Sequence, residues 1–75
     1  MPLIQVQVIE KVFTPAQKRE IVRKLTDAMV SIEGESMRPV TLVVIEEVKS
    51  RDWAMGGKPF TTDDVTALAA GRKTA

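Results

Sequence analysis

The chain of 75 residues contains no cysteine and no histidine. The first absence excludes disulfides. The second removes the imidazole of a serine or cysteine triad, and a zinc site would have to be built from carboxylates alone. No apolar run is long enough to cross a bilayer, so no membrane association is expected. The N-terminus lacks the basic-then-apolar pattern of a signal peptide, and a cytoplasmic location is the simplest expectation. Lys and Arg together number 11 against 10 Asp and Glu, a net charge of +1. Such a balance offers no general field to draw in nucleic acid. There is no glycine-rich phosphate loop at a strand-to-helix turn and no internal repeat.

What is present is a short chain with 44% hydrophobic residues, which fits one globular domain over residues 1–75. A domain this small buries a modest share of its surface. With disulfides and a histidine-bearing metal site excluded, oligomerisation is the expected source of further stability.

The opening Pro2-Leu3-Ile4-Gln5-Val6-Gln7-Val8-Ile9 places Ile4, Val6 and Val8 on one face and Gln5 and Gln7 on the other. That alternation predicts a half-buried strand, with proline tolerated at its first position. Thr14-Pro15-Ala16-Gln17 is a helix start: Thr14 caps, Pro15 fits the first turn and Gln17 completes a capping box. Ile21, Val22, Leu25, Ala28, Met29 and Ile32 follow at helical spacing. Glu20 with Lys24 and Arg23 with Asp27 are i,i+4 opposite-charge pairs. Gly34 is expected to stop the helix and Pro39 to prevent its continuation.

Val40-Thr41-Leu42-Val43-Val44-Ile45 predicts a second strand, buried on both faces as in parallel pairing. Strand, helix, strand in this order is an α/β (α+β) arrangement, a single β-α-β unit. Two strands and one helix leave a sheet face and edges unprotected, so copies of the chain should complete it. Gly56-Gly57 predicts a tight turn or short hairpin, and Thr61 or Thr62 a cap for a short C-terminal helix with Val65 and Leu68 on its apolar side. Gly71-Arg72-Lys73-Thr74-Ala75 reads as a frayed tail.

With histidine and cysteine absent, the conspicuous chemical group is Pro2. Excision of Met1 before so small a residue would expose a secondary amine at the head of a half-buried strand. An ordinary α-amino group titrates near ~7.7–8.0, and the proline amine is more basic. Apolar surroundings or a nearby cation would therefore have to lower its pKa to make it a general base. Lys11, Arg38 and Arg51 are candidates for the cation and Trp53 for an apolar wall. Each has a plainer reading: Lys11 as a solvated loop lysine, Arg38 and Arg51 as surface residues, and Trp53 as interface packing. Pro2 itself could simply begin a strand.

Four segments, Pro2 to Val6, Thr14 to Lys18, Val40 to Glu47 and Trp53-Ala54-Met55-Gly56-Gly57, together resemble the 4-oxalocrotonate tautomerase family over residues 2 to 57. The resemblance implies subunits paired into four-stranded sheets, usually three such dimers forming a hexamer. It also implies a cofactor-independent isomerase in which the terminal proline, here Pro2, shuttles a proton within a small conjugated 2-oxo acid. Trp53 falls where the family has an aromatic residue closing the site. The family's two substrate-binding arginines are not matched: the first position reads Lys11-Val12 and the second Thr41. Loss of those forks points away from a dicarboxylate and toward a monocarboxylate enol or a less polar carbonyl compound. Alternatives are a hydratase or dehalogenase reaction, in which a carboxylate activates water, and a non-catalytic oligomeric binding module.

Overall fold

A computed structural model describes residues 1–71 of the chain. The elements in order are strand β1 (Leu3–Ile9), helix α1 (Pro15–Glu33), a 3₁₀ helix (Glu35–Val40), strand β2 (Leu42–Val48), strands β3 (Trp53–Met55) and β4 (Lys58–Phe60), and helix α2 (Thr62–Ala69). They group into two compact units. One holds Met1–Val6 and Phe13–Glu46, and the other holds Gln7–Val12 and, of the described residues, 47–71.

β1 and β2 are hydrogen-bonded neighbours. The Leu42 N–H donates to the Pro2 carbonyl at 3.0 Å, and the Glu10 N–H donates to the Val48 carbonyl at 2.7 Å. Both strands advance in the same direction between these bonds, so the pair is parallel. The connection through α1 makes the expected β-α-β unit. In β1 the alternation holds: Leu3, Gln5 and Gln7 are exposed while Ile4, Val6 and Val8 are half-buried.

The first unit is organised by α1. Its first turn is closed as its sequence dictates: Thr14 Oγ1 accepts from the Gln17 N–H at 3.1 Å, and Gln17 Oε1 accepts from the Thr14 N–H at 2.9 Å. Gly34, at φ 106°, ends the helix and donates its N–H to the Val30 carbonyl. Leu25 and Met29 are half-buried and Val30 is buried, but Ile32 is 85% exposed. The apolar stripe is therefore narrower than its residue types suggest, and Ile32 falls outside it. Lys18 and Val22 line a shallow hollow of about 380 Å³ with Ile45 of β2, which places α1 along one face of that strand.

Two expectations for the second strand are corrected. It begins at Leu42, not Val40, because residues 35–40 wind into a 3₁₀ helix that contains Pro39. Its faces are also unequal. Val43 and Ile45 are half-buried, whereas Leu42 and Val44 are 45% and 40% exposed. One helix can cover only one side of a sheet, so the apolar run is not enclosed on both faces by this chain.

In the second unit, Trp53↔Phe60, Ala54↔Pro59 and Met55↔Lys58 pair across an antiparallel hairpin. Gly56 and Gly57 form its two-residue turn with φ of 58° and 81°. Two positive φ values in a two-residue loop match the strand twist that favours this turn, and glycine adopts them without a Cβ clash. α2 starts with a second capping box between Thr61 and Asp64. Val65 is half-buried, but Leu68 is 50% exposed, so the expected apolar side is only partly covered. Gly71 closes the helix by donating to the Leu68 carbonyl at 2.9 Å. The rest of the expected frayed tail lies outside the described residues.

Candidate active site

Pro2 stands at the mouth of the parallel pair in the first unit. It is half-buried, and its carbonyl is fixed by Leu42. With Met1 attached, its nitrogen is a tertiary amide. Met1 is 80% exposed. Thr41, adjacent to Leu42, is half-buried like Pro2. Its hydroxyl meets the Glu33 carboxylate at the end of α1 and the Met37 carbonyl at 2.8 Å. A carboxylate is thus held beside the start of β2, one position along from the residue that binds Pro2. Nothing in the spacing of Glu33 signals this contact, because it depends on the path of the 3₁₀ helix.

Arg38, from the same unit, is occupied. Its Nη1 lies 2.8 Å from Asp27 Oδ1 and its Nε lies 2.7 Å from Glu35 Oε1. These hydrogen bonds, Glu35 first and Asp27 second, hold the guanidinium protonated well above its ordinary range. The same bond from Arg38 lowers the Glu35 carboxyl below its usual value.

The other candidate cations belong to the second unit. Lys11 follows β1 and Arg51 follows β2. Both border one cleft of about 530 Å³ together with Ser50, Thr61 and Thr62. Among the described residues, Lys11 and Arg51 are also the two non-glycine residues with positive φ, at 62° and 76°. The cleft walls are tied by short bonds: Ser50 N–H to Glu10 Oε2 at 2.8 Å, Thr62 N–H to Ser50 Oγ at 2.9 Å, and Thr62 Oγ1–H to the Glu10 carbonyl at 2.8 Å. Sequence reasoning named Lys11 and Arg51 but missed Ser50 and Thr61, whose residue types signalled only turn and cap. Trp53 is half-buried at the start of the hairpin, opposite Phe60. The Arg51 N–H donates to the Phe60 carbonyl at 2.8 Å, which anchors the turn between Arg51 and Trp53. Among the described residues, no group of three or more Asp or Glu is arranged to hold a metal ion. No helix among them is long and apolar enough to cross a membrane.

The family model for tautomerase enzymes matches residues 2–63. The chain belongs to the tautomerase family. It is 28% identical over 61 residues to a protein of Dickeya dadantii (strain 3937) named "Probable tautomerase K2", a match spanning 81% of this chain and 90% of that one. It is similar to the crystal structure of a 4-oxalocrotonate tautomerase homologue at a TM-score of 0.69 and 33% identity, covering 85% of this tautomerase and 95% of the other chain. It is also similar to a structure from a study of the 4-oxalocrotonate tautomerase isozymes of Methylibium petroleiphilum, at a TM-score of 0.69 and 30% identity over 95% of this chain and all of that one. Family membership supports a tautomerase-type activity, and the β-α-β unit with its short C-terminal helix is the fold these relatives share.

Proposed function

We propose that this tautomerase interconverts the enol and keto forms of a small unsaturated 2-oxo acid or related carbonyl compound, with the amine of Pro2 as its acid–base group. The observation that carries the reading is Pro2 itself: second in the chain, half-buried, and held by Leu42 at the head of β1 in a member of this family. Once Met1 is removed, the nitrogen takes a proton from the enol hydroxyl or a carbon and returns it to another carbon of the conjugated system. A cation stabilises the charge that develops on the oxygen. Lys11 and Arg51 are the available cations, since Arg38 is committed to Asp27 and Glu35. Trp53 supplies apolar surface. No cofactor is required for this chemistry.

The site is completed by other copies of the chain in a homo-oligomer, a hexamer built as a trimer of dimers. The exposed Leu3, Leu42 and Val44 supply apolar surface for such contacts. A cytoplasmic location suits a small-molecule enzyme of this kind.

The test is the ketonisation of the enol of phenylpyruvate, followed by ultraviolet absorbance, with protein confirmed by mass to lack Met1 and with its Pro2→Ala variant. Acceleration over buffer that collapses in the variant supports the proposal. Acceleration indifferent to Pro2, or none, favours a binding module. A second reading draws on Glu33, held by Thr41: a carboxylate that activates water for hydration or dehalogenation while the protonated proline acts as acid. Glu33→Gln abolishing hydration but sparing ketonisation would favour it.

A further inference from the structure

Pro2 and Thr41 are lateral neighbours on one face of the parallel pair. In a parallel ladder a residue donates its N–H to the residue before the one it opposes. The Leu42 N–H bonds to the Pro2 carbonyl, so Leu42 opposes Leu3 and Thr41 opposes Pro2. Exposure follows this register: Leu3 and Leu42 are exposed, whereas Pro2, Thr41, Ile4 and Val43 are half-buried. Pro2 and Thr41 thus share a face at about the 4.8 Å spacing of adjacent strands. Ile45, further along the same face, borders a hollow with Val22 of α1, so this is the side that α1 covers.

The Thr41 hydroxyl has one hydrogen and two acceptors around it, the Glu33 carboxylate and the Met37 carbonyl. It has no hydrogen left for a substrate oxygen, and what it can still offer is a lone pair. The charges at this end of the unit give that lone pair its sense. No residue from Pro2 to Ile9 is charged. α1 brings Glu33, its last residue, and Asp27, while the 3₁₀ helix brings Glu35 and Arg38. Arg38 is committed to Asp27 and Glu35. Lys24, the basic residue of α1 nearest Glu33 in sequence, lies about 13 Å up the helix at ~1.5 Å per residue. Glu46 lies about 16 Å along β2 from Thr41 at ~3.3 Å per residue. The charge bound to Thr41 is therefore negative, and the C-terminal end of the α1 dipole adds to it.

We propose that Glu33 and Thr41 are positioning residues for Pro2: with Met1 removed, Thr41 Oγ1 accepts an N–H of the Pro2 amine while its own hydrogen turns to Glu33. A carboxylate linked in this way favours the protonated amine, the opposite of what a neighbouring cation would do. The ammonium has two N–H groups, of which Thr41 takes one. After the other proton leaves, the remaining N–H stays on Thr41 and fixes the direction of the nitrogen lone pair. Ketonisation starts when the free amine takes the enol proton, so its rate rises with pH through this titration. That consequence rests on the tautomerase reading, whereas the hydrogen-bond chain from Pro2 to Glu33 does not.

The experiment labels proline with nitrogen-15 and follows the Pro2 nitrogen against pH by NMR. It uses Met1-processed parent protein and the variants Glu33→Gln, Thr41→Val and Thr41→Ser. Glu33→Gln keeps the shape and an acceptor oxygen but removes the charge. The Pro2 titration should then move to lower pH by about one unit, the scale of a single charge a few ångströms from a half-buried group. Thr41→Val removes the bridge and should move it the same way, while Thr41→Ser keeps the hydroxyl and should titrate with the parent. A Pro2 titration that stays in place in Glu33→Gln overturns the proposal, even if that variant melts lower, because a purely structural tie between α1 and β2 gives that result. Thr41→Ser titrating with Glu33→Gln overturns it too. These two variants decide the matter should Thr41→Val fail to fold. Ketonisation of the phenylpyruvate enol is the separate check on the reading: the rising limb of kcat/KM should move with Pro2. A Pro2 titration that moves as expected while ketonisation ignores it upholds the hydrogen-bond chain and refutes the tautomerase reading.

Discussion

Arg38 and Asp27 meet across eleven residues of chain, Nη1 to Oδ1 at 2.8 Å. The contact ties the 3₁₀ helix to α1, and Glu35 takes two more donors of the same guanidinium at 2.7 and 3.3 Å. Arg38 should therefore be a poor substrate ligand. Arg38→Gln is expected to leave the KM for ketonisation within about twofold of the parent, the small effect typical of a partly exposed ion pair. A KM raised by an order of magnitude would place its guanidinium in the site.

Glu35 and Glu20 are both held below the ordinary carboxylate value of 4.5, by hydrogen bonds from Arg38 and from Arg23 and Lys24 respectively. A carboxyl depressed in the folded state contributes stability that is present above its unfolded pKa and is lost as pH falls through the folded one. The pairs should thus persist at neutral pH and fail on acidification below about 4.5. Titration by NMR should find both carboxyls below 4.5 in dilute buffer. Both should move toward it in 1 M salt, where the screening length shrinks to about 3 Å.

The hairpin turn separates two glycines by what each can tolerate. At φ 81°, Gly57→Ala forces an L-residue into the left-handed region, at a cost of about 1 kcal/mol. Gly56→Asn, at φ 58°, places there the residue most at home in that turn position and should be close to neutral. Urea unfolding of the two variants decides this, and equal destabilisation would show that the turn is not of the type described.

Thr14→Ala removes the hydroxyl that accepts from the Gln17 N–H and leaves that donor without its cap. Loss of such a cap costs about 1 kcal/mol. The variant should lose that much stability in urea while keeping its activity per folded molecule.

The contrast between Thr14 and Thr41 shows what could be read in advance. Thr14-Pro15-Ala16-Gln17 and Gly56-Gly57 encode their structures within four residues, so the helix start and the hairpin follow from local chemistry. Thr41 sits in an apolar run that favours a strand. Its hydroxyl is instead taken by Glu33 and Met37, partners set by the path of the preceding turn. Leu42 and Val44 misled in another way: their residue types describe a surface meant to be covered but do not say by what. Among the candidate residues, Pro2, Lys11 and Arg51 were legible as chemistry. That Lys11 and Arg51 share one cleft with Ser50 and Thr61 depends on Glu10 and Ser50 bonding across forty residues, and no spacing rule contains that.

Among the described residues, Ile9 and Val30 are the buried hydrophobic residues of one copy, while Leu3, Leu42 and Val44 stay open to water. A fold that encloses so little alone has a stability that depends on how much of it is present, because association acts on folding by mass action. If its copies complete one another as proposed, abundance becomes a physical parameter of the enzyme. Halving the amount made would then halve the catalyst and also weaken each surviving molecule. An apolar-to-polar change at Leu42 would act like a fall in gene dosage, correctable by making more protein.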